Sequence, residues 1–319
     1  LPGGLATLRT LRRCDAIYIR MESDPPHPFV QKLFRPPWRG WLRGVPVVWE
    51  LNTSLQYAAV AGKPEETVAR NRRVLRDLAR RCDLAICVSD AIAREASTEL
   101  GITRTRVVTN GSDPELFRPD APVHPAAAAF ETRFNLCWIG SADIAWHDLD
   151  LLLEAARLCR EDPDLRSLVG FHIFGRGNAF VSRMPPNVRY YGPVPYVDLP
   201  GWLAAMDAGL VAYTEGPGNA NSPLKFFDYA ASGIAALVSR QEQAERLLRD
   251  WGLPELILAD GKPETLVSRL KALLEDPERA RAIRHALRRR LVETKTWDRL
   301  VTEIFESLRE PATEGGTTP

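Results

Sequence analysis

Short apolar runs rich in β-branched and aromatic residues alternate with amphipathic stretches along nearly all of this 319-residue chain. Strands that run in the same direction need a crossover of a dozen or more residues between them, so this alternation specifies a parallel sheet with crossover helices. In the first part the runs are "DAIYIR", "PVVWELN", "LAICVS" and "RVVTN", with "KPEETVARNRRVLRDLARR" and "DAIAREASTELG" as helices among them. The proline- and alanine-rich stretch "RPDAPVHPAAAAF" then interrupts the pattern. It restarts with "FNLCWIG", "DLDLLLEAARLCRE", "VGFHIFG", "NVRYYG", "AGLVAYT", "IAALVS" and "LILAD".

A chain of this length exceeds what one core usually organises, so two domains are expected. The fold class that follows is α/β, with two Rossmann-like doubly wound parallel-sheet domains. The expected boundaries are 1–118 for the first domain, 119–133 for a linker and 134–290 for the second. A helix over 291–310 and a disordered tail over 311–319 follow. In open α/β sheets ligands sit at the carboxyl ends of the strands, and most of these strands end in Gly, Ser, Asn or Asp.

A formal net charge of +1 gives no overall footprint for nucleic-acid binding. The five cysteines are odd in number and mostly inside apolar runs, as in a reducing compartment. No cysteine pair has zinc-site spacing and the five histidines make no HExxH pattern, so no protein-bound metal is expected. With no signal-peptide pattern and no apolar run near a membrane span, the expected location is cytoplasmic. The arginines after Pro277 read as a solvated face, with peripheral contact at the inner face of a membrane as the alternative. The opening residues suggest a start inside a domain.

The stretch "NSPLKFFDYAASG" (221–233) carries the most chemistry. Ser222 suits an N-cap, Pro223 the first helical position and Gly233 the far end. Lys225 then lies in the first turn, where the helix dipole disfavours a cation by about 0.3–1 kcal/mol. A phosphate drawing both the lysine and the free backbone N–H groups toward it removes the conflict. Asp228 lies one turn on: it either accepts hydrogen bonds from ribose hydroxyls or pairs with Lys225 at i,i+3. Two glycine-bearing turns follow strands, one with Gly140, Ser141 and His147, the other with Arg176 between Gly175 and Gly177. Arg176 has the reach for a diphosphate, and His147 reads as structural or catalytic. Arg20, Glu50 and Asn52 end strands of the first half, either facing a ligand or capping the strand ends.

Together these stretches resemble the retaining GT-B glycosyltransferases of family 4 along nearly the whole chain. "CVSDAIAREASTELGITRTRVVTNGSDPELFRPD" is similar to the close of that family's first domain, "GSADIAWHDLDLLLEA" to the opening of the second, and "TKTWDRLVTEIF" to the helix that crosses back. "SPLKFFDYAASGIAALVS" is the most specific match. The resemblance implies two domains facing a cleft, the second binding a nucleotide-sugar donor and the first a sugar or lipid-linked acceptor. Transfer retains anomeric configuration and uses no metal or other cofactor. It places Lys225 on the donor diphosphate, with Asn221, Ser222 and Pro223 ahead of it, Asp228 at the ribose, and Val194 and Pro195 at the base. Arg20, Glu50 and Asn52 fall on the acceptor side.

The chain departs from the family at several points. Ala220 and Asp228 stand where an E-x7-E pair is usual, Ser141 replaces an arginine, His147 a lysine and Asn52 a histidine. The family's first strand and glycine-rich acceptor loop have no counterpart, so the chain is expected to begin after them. The alternatives to a transferase are a catalytically silent binding subunit and a sugar-nucleotide epimerase.

Overall fold

The computed structural model describes residues 10–35, 40 and 42–310. The chain divides into two compact units. One is made of residues up to Thr109, with Ala220–Ser222 and the chain from Val301; the other of Asn110–Asn219 and Pro223–Leu300.

The first unit contains β1 (Ile17–Met21), α1 (Pro28–Leu33), β2 (Val47–Leu51), α2 (Tyr57–Val60), α3 (Glu65–Ala79), β3 (Leu84–Cys87), α4 (Asp90–Leu100) and β4 (Thr105–Val107). Its sheet is parallel, in the order β1-β2-β3-β4. Its helices follow the end rules. Ser89 caps α4 by accepting from the Ile92 N–H at 3.2 Å, and Gly101, in the left-handed region, ends it. The core is built on β2 and β3, whose Val47, Trp49, Ala85 and Cys87 are completely covered.

The second unit contains β5 (Phe134–Ser141), α5 (Leu149–Glu161), β6 (Val169–Arg176), β7 (Val188–Tyr190), α6 (Leu199–Leu203), β8 (Ala208–Ala212), α7 (Leu224–Ala231), β9 (Ala235–Ser239), α8 (Glu242–Asp250), α9 (Pro263–Glu275), α10 (Pro277–Thr294) and the start of α11 (Trp297–Arg309). Its parallel sheet runs β7-β6-β5-β8-β9. The order reverses between β5 and β8, and that switch point is where an open α/β sheet leaves a crevice for a ligand. Gly209 on β8 makes room for the aromatic ring beneath the sheet: a Cβ there would lie 2.4 Å from Tyr229. The Tyr229 hydroxyl in turn accepts from the backbone N–H of Ile139 on β5 at 2.9 Å, fixing α7 against the strand that ends in Gly140.

Four local expectations change. The stretch "LILAD" makes a single parallel bridge, Val238 with Ile257, rather than a strand, because the turn at Pro254–Leu256 leaves too little extended chain. The helix expected over 291–310 is instead the end of α10 followed by α11, the two broken at Lys295, whose φ of −133° is not helical. The division between units falls after Thr109, and residues 119–133 pack with the second unit rather than forming a loose tether. His124 stacks on Trp202 at 4.1 Å, and Phe130 lies tilted against His172 at 4.2 Å. Finally, Pro223 rather than Ser222 precedes the first helical residue of α7. Its ψ of 115° keeps it extended, so the helix starts at Leu224. The tail 311–319 lies outside the described residues.

Replacing Tyr229 by Phe leaves the Ile139 N–H without its partner inside the core. The expected loss is about 1–3 kcal/mol in denaturant unfolding, with the slope unchanged.

Candidate functional site at the switch point of the second unit

Lys225 is the second residue of α7, and the helix packs its first turn under the ends of β5 and β8. Its ammonium is buried and has no hydrogen-bond partner. It lies 4.6 Å from the centre of the Trp138 ring and 5.8 Å from that of Tyr213, so two aromatic faces provide its nearest electrostatic compensation. Gly140 is bare for the same reason. A Cβ there would stand 2.7 Å from the Trp138 ring and 3.0 Å from Lys225 Nζ. Gly175, with φ of 134° on the neighbouring strand, would drive a Cβ into the Gly140 carbonyl. The two glycines thus let β5 and β6 close around the lysine.

Burial lowers the Lys225 pKa from 10.5 to about 7, with a smaller opposing effect from Cys137. The ammonium is therefore only partly charged at neutral pH, and an anion placed beside it would restore the charge. His147 sits beside it, edge-on to Trp138 and Tyr213 at 5.5 and 5.3 Å. Burial first, and the Lys225 charge second, push its pKa down to about 3. A neutral ring facing a carbonyl must donate, so Nδ1–H donates to the Ser141 oxygen at 2.8 Å and Nε2 keeps its lone pair. The loop bearing His147 returns onto the end of β8 through a bridge with Tyr213.

Asp228 is also buried, but it makes no ion pair with Lys225, which removes the i,i+3 alternative. The Ser112 hydroxyl donates to its Oδ1 at 2.6 Å, and the Tyr196 hydroxyl reaches both carboxylate oxygens at 3.3 and 3.4 Å. Burial raises its pKa to about 7 against the effect of those two hydroxyls. Ser112 is held by the turn of "NGSD", where a Cβ on Gly111 would fall 2.4 Å from the Lys295 carbonyl oxygen. Tyr196 is held edge-on to Phe117 at 5.2 Å.

The structure thus brings Lys225, Gly140, Ser141 and His147 together at the switch point. Arg176 is exposed at the end of β6, opposite Ser141 in the ladder. Val194 and Pro195 lie in the loop before α6, next to Tyr196. Asn221 and Ser222 fall in the short stretch that packs with the first unit, and Pro223 immediately precedes α7. On the first unit, Arg20 and Glu50 are register partners on β1 and β2, and Asn52 donates to Glu50 Oε1 at 2.5 Å. Sequence reasoning missed Trp138, Tyr213, Ser112 and Tyr196. Trp138, two residues before Gly140 in a strand, lies on the same face as that glycine and was the accessible clue.

A family model described as glycosyl transferase-like matches residues 147–306, half of the chain. The chain belongs to that family. A second model, Glycosyltransferase Family 4, matches residues 26–116. The chain is 23% identical over 265 residues to a Bacillus subtilis (strain 168) protein named as a teichuronic acid biosynthesis glycosyltransferase, TuaH. That alignment takes in 80% of this chain and only 64% of the relative's length. Two solved structures carry the fold comparison. A sucrose-phosphate synthase from Thermosynechococcus elongatus matches with a TM-score of 0.68 at 15% identity, over 96% of this chain and 76% of that one. Anabaena HepE, in complex with UDP-glucose, matches with a TM-score of 0.65 at 17% identity, over 96% and 82%. The fold of the chain is GT-B, with two parallel-sheet α/β domains.

The lowered Lys225 pKa has a measurable consequence. A lysine whose folded pKa lies below its unfolded value binds fewer protons when folded. Its penalty is complete below about pH 7 and vanishes as pH rises to the unfolded 10.5. Lys225→Met is expected to raise the melting temperature by several degrees at pH 7, at roughly 2–4 °C per kcal/mol. The gain should shrink steadily between pH 7 and 10.

Proposed function

We propose that the second unit binds a nucleoside-diphosphate sugar with its diphosphate at Lys225, and that the glycosyltransferase moves the sugar, with retained configuration, to a sugar or lipid-linked acceptor. The observation that carries this reading is the buried, unpartnered ammonium at the switch point of the sheet. Burying such a group costs several kcal/mol unless an anion arrives to pair with it. A diphosphate supplies that anion and also meets the free N–H groups at the start of α7. The UDP-glucose held by HepE is consistent with the same ligand class.

In this reading Asp228, with Ser112 and Tyr196 orienting its carboxylate, meets the ribose. Val194 and Pro195 border the base, and Arg176 reaches the outer phosphate oxygens. When the bond between the sugar's anomeric carbon and the diphosphate oxygen breaks, the electron pair stays on that oxygen. Lys225 and the α7 N–H groups stabilise the charge where it develops, which is the kind of preorganised effect that usually dominates catalysis. That role is assigned to the lysine rather than to a metal, so EDTA should leave turnover unchanged. Arg20, Glu50 and Asn52 are assigned to the acceptor. A silent, donor-binding subunit is the second reading, favoured by Ala220 standing where the family carries an acid.

Thermal unfolding with UDP-, GDP-, ADP- and dTDP-sugars tests the assignment. The matching donor at a hundredfold its dissociation constant adds about 2.7 kcal/mol, and Lys225→Met abolishes the gain. Because the free lysine titrates near 7 and the paired one above it, donor affinity should weaken by up to about tenfold per pH unit between pH 7 and 9. The Met variant should show no such slope. Stabilisation that survives the substitution would remove Lys225 from the site. Donor binding without sugar transfer to any acceptor would favour the silent subunit.

A further inference from the structure

A second basic feature of this unit lies at the other end of α7 from Lys225, about 12 Å away along eight helical residues. There a cavity of about 280 Å³ opens between α10, the end of α7 and the loop before β8. Arg281, Arg284, His285 and Arg288 line it from one face of α10, at the i, i+3, i+4 and i+7 spacing of successive turns. The opposite wall is Ser232 and Gly233. The remaining lining is apolar, and no acidic side chain of the described residues lines the cavity.

All three arginines are anchored. Arg281 donates to the Glu278 carboxylate at 2.9 and 3.1 Å, Arg284 donates to Asp207 at 3.3 Å, and Arg288 donates to the carbonyls of Phe117 and Ala231. A guanidinium has five donors, and these anchors use only part of each set. The Schellman turn that ends α7 closes the wall opposite them. Ile234 N–H bonds to the Tyr229 carbonyl and Gly233 N–H to that of Ala230, with Gly233 at φ of 71°. A Cβ on Gly233 would stand 2.9 Å from Pro119 and 3.9 Å from Arg288 Cδ, so only glycine leaves the wall open. Within that wall the Ser232 hydroxyl is buried, 2% exposed for the residue, and has no hydrogen-bond partner. A buried hydroxyl without a partner destabilises the fold unless a ligand satisfies it.

We infer that this cavity is a phosphate-binding site distinct from the donor site, taking a small phosphate-bearing molecule. Guanidinium forks match phosphate oxygens two at a time, and the serine hydroxyl supplies a further donor. The volume lies at the small end of ligand pockets, which suits a phosphate ester better than a nucleotide. The same chemistry is met by a free phosphate ester or by a lipid headgroup.

The test uses the whole chain and its Lys225→Met variant, so that the donor site is removed from the readout. Inorganic phosphate and glycerol 3-phosphate are titrated by calorimetry, and vesicles of phosphatidylcholine and phosphatidylglycerol in equal parts by co-sedimentation. Arg281→Gln/His285→Gln changes two exposed side chains, and its unfolding without ligand should match the parent. Saturable binding to the Lys225→Met protein, weakened roughly tenfold or more by the double substitution and also weakened by Ser232→Ala, supports the site. Soluble esters alone showing this pattern assigns a free phosphate ester, and vesicles alone a headgroup. No saturable binding in either arm, or binding unchanged by the double substitution, overturns it. The donor reading stands or falls separately, on the Lys225 measurements above.

Discussion

A lysine buried without a counter-charge organises the second unit around it. The ammonium of Lys225 can be kept from water only because two aromatic rings cover it and two glycines let the strands close over it. Each requirement reaches outward. Trp138 needs Gly140 bare, Gly140 needs Gly175 bare, and the α7 that carries the lysine is pinned to β5 through Tyr229 and the Ile139 N–H. The polarity of the site is set by the same crowding. His147 is kept neutral by burial and by the neighbouring lysine, so the cation at the switch point is not diluted by a second titrating group near pH 7. A site that stores an unfavourable charge in its free form and relieves it on binding is a common compromise between stability and function.

The fold was largely legible because its signals are local. Nine of the apolar runs read as strands are strands, since β-branched residues between turn signals suit a buried parallel sheet regardless of distant context. The exception, "LILAD", has the composition of a strand but meets β9 at one position only. The helix ends were readable where a single residue decides them, as at Gly233. They misled at Ser222, where the backbone angle of Pro223, rather than the preference of either residue, sets the start of α7.

The site was legible only in part. Lys225 stood out because a cation in a first turn contradicts the helix dipole, and that contradiction survives folding: the group is buried and unpaired. What surrounds it comes from β5, β8 and the loop after β5, segments brought together by the reversal of strand order, and no local pattern announces that meeting. Asp228 shows the same limit from the other side. One turn of helix from Lys225 suggested an ion pair, yet its carboxylate turns to Ser112, more than a hundred residues earlier in the chain, and to Tyr196.

The central claim, that Lys225 is an uncompensated cation awaiting a phosphate, is tested most directly by NMR titration of lysine Cε resonances in protein labelled with 13C-lysine. With six lysines in the chain, Lys225 is assignable from the spectrum of the Lys225→Met variant. Titration near pH 7 in the free protein, moving up by one unit or more when a nucleoside-diphosphate sugar is added, is the predicted result. A Lys225 resonance that titrates near 10.5 and is indifferent to nucleotide would contradict it.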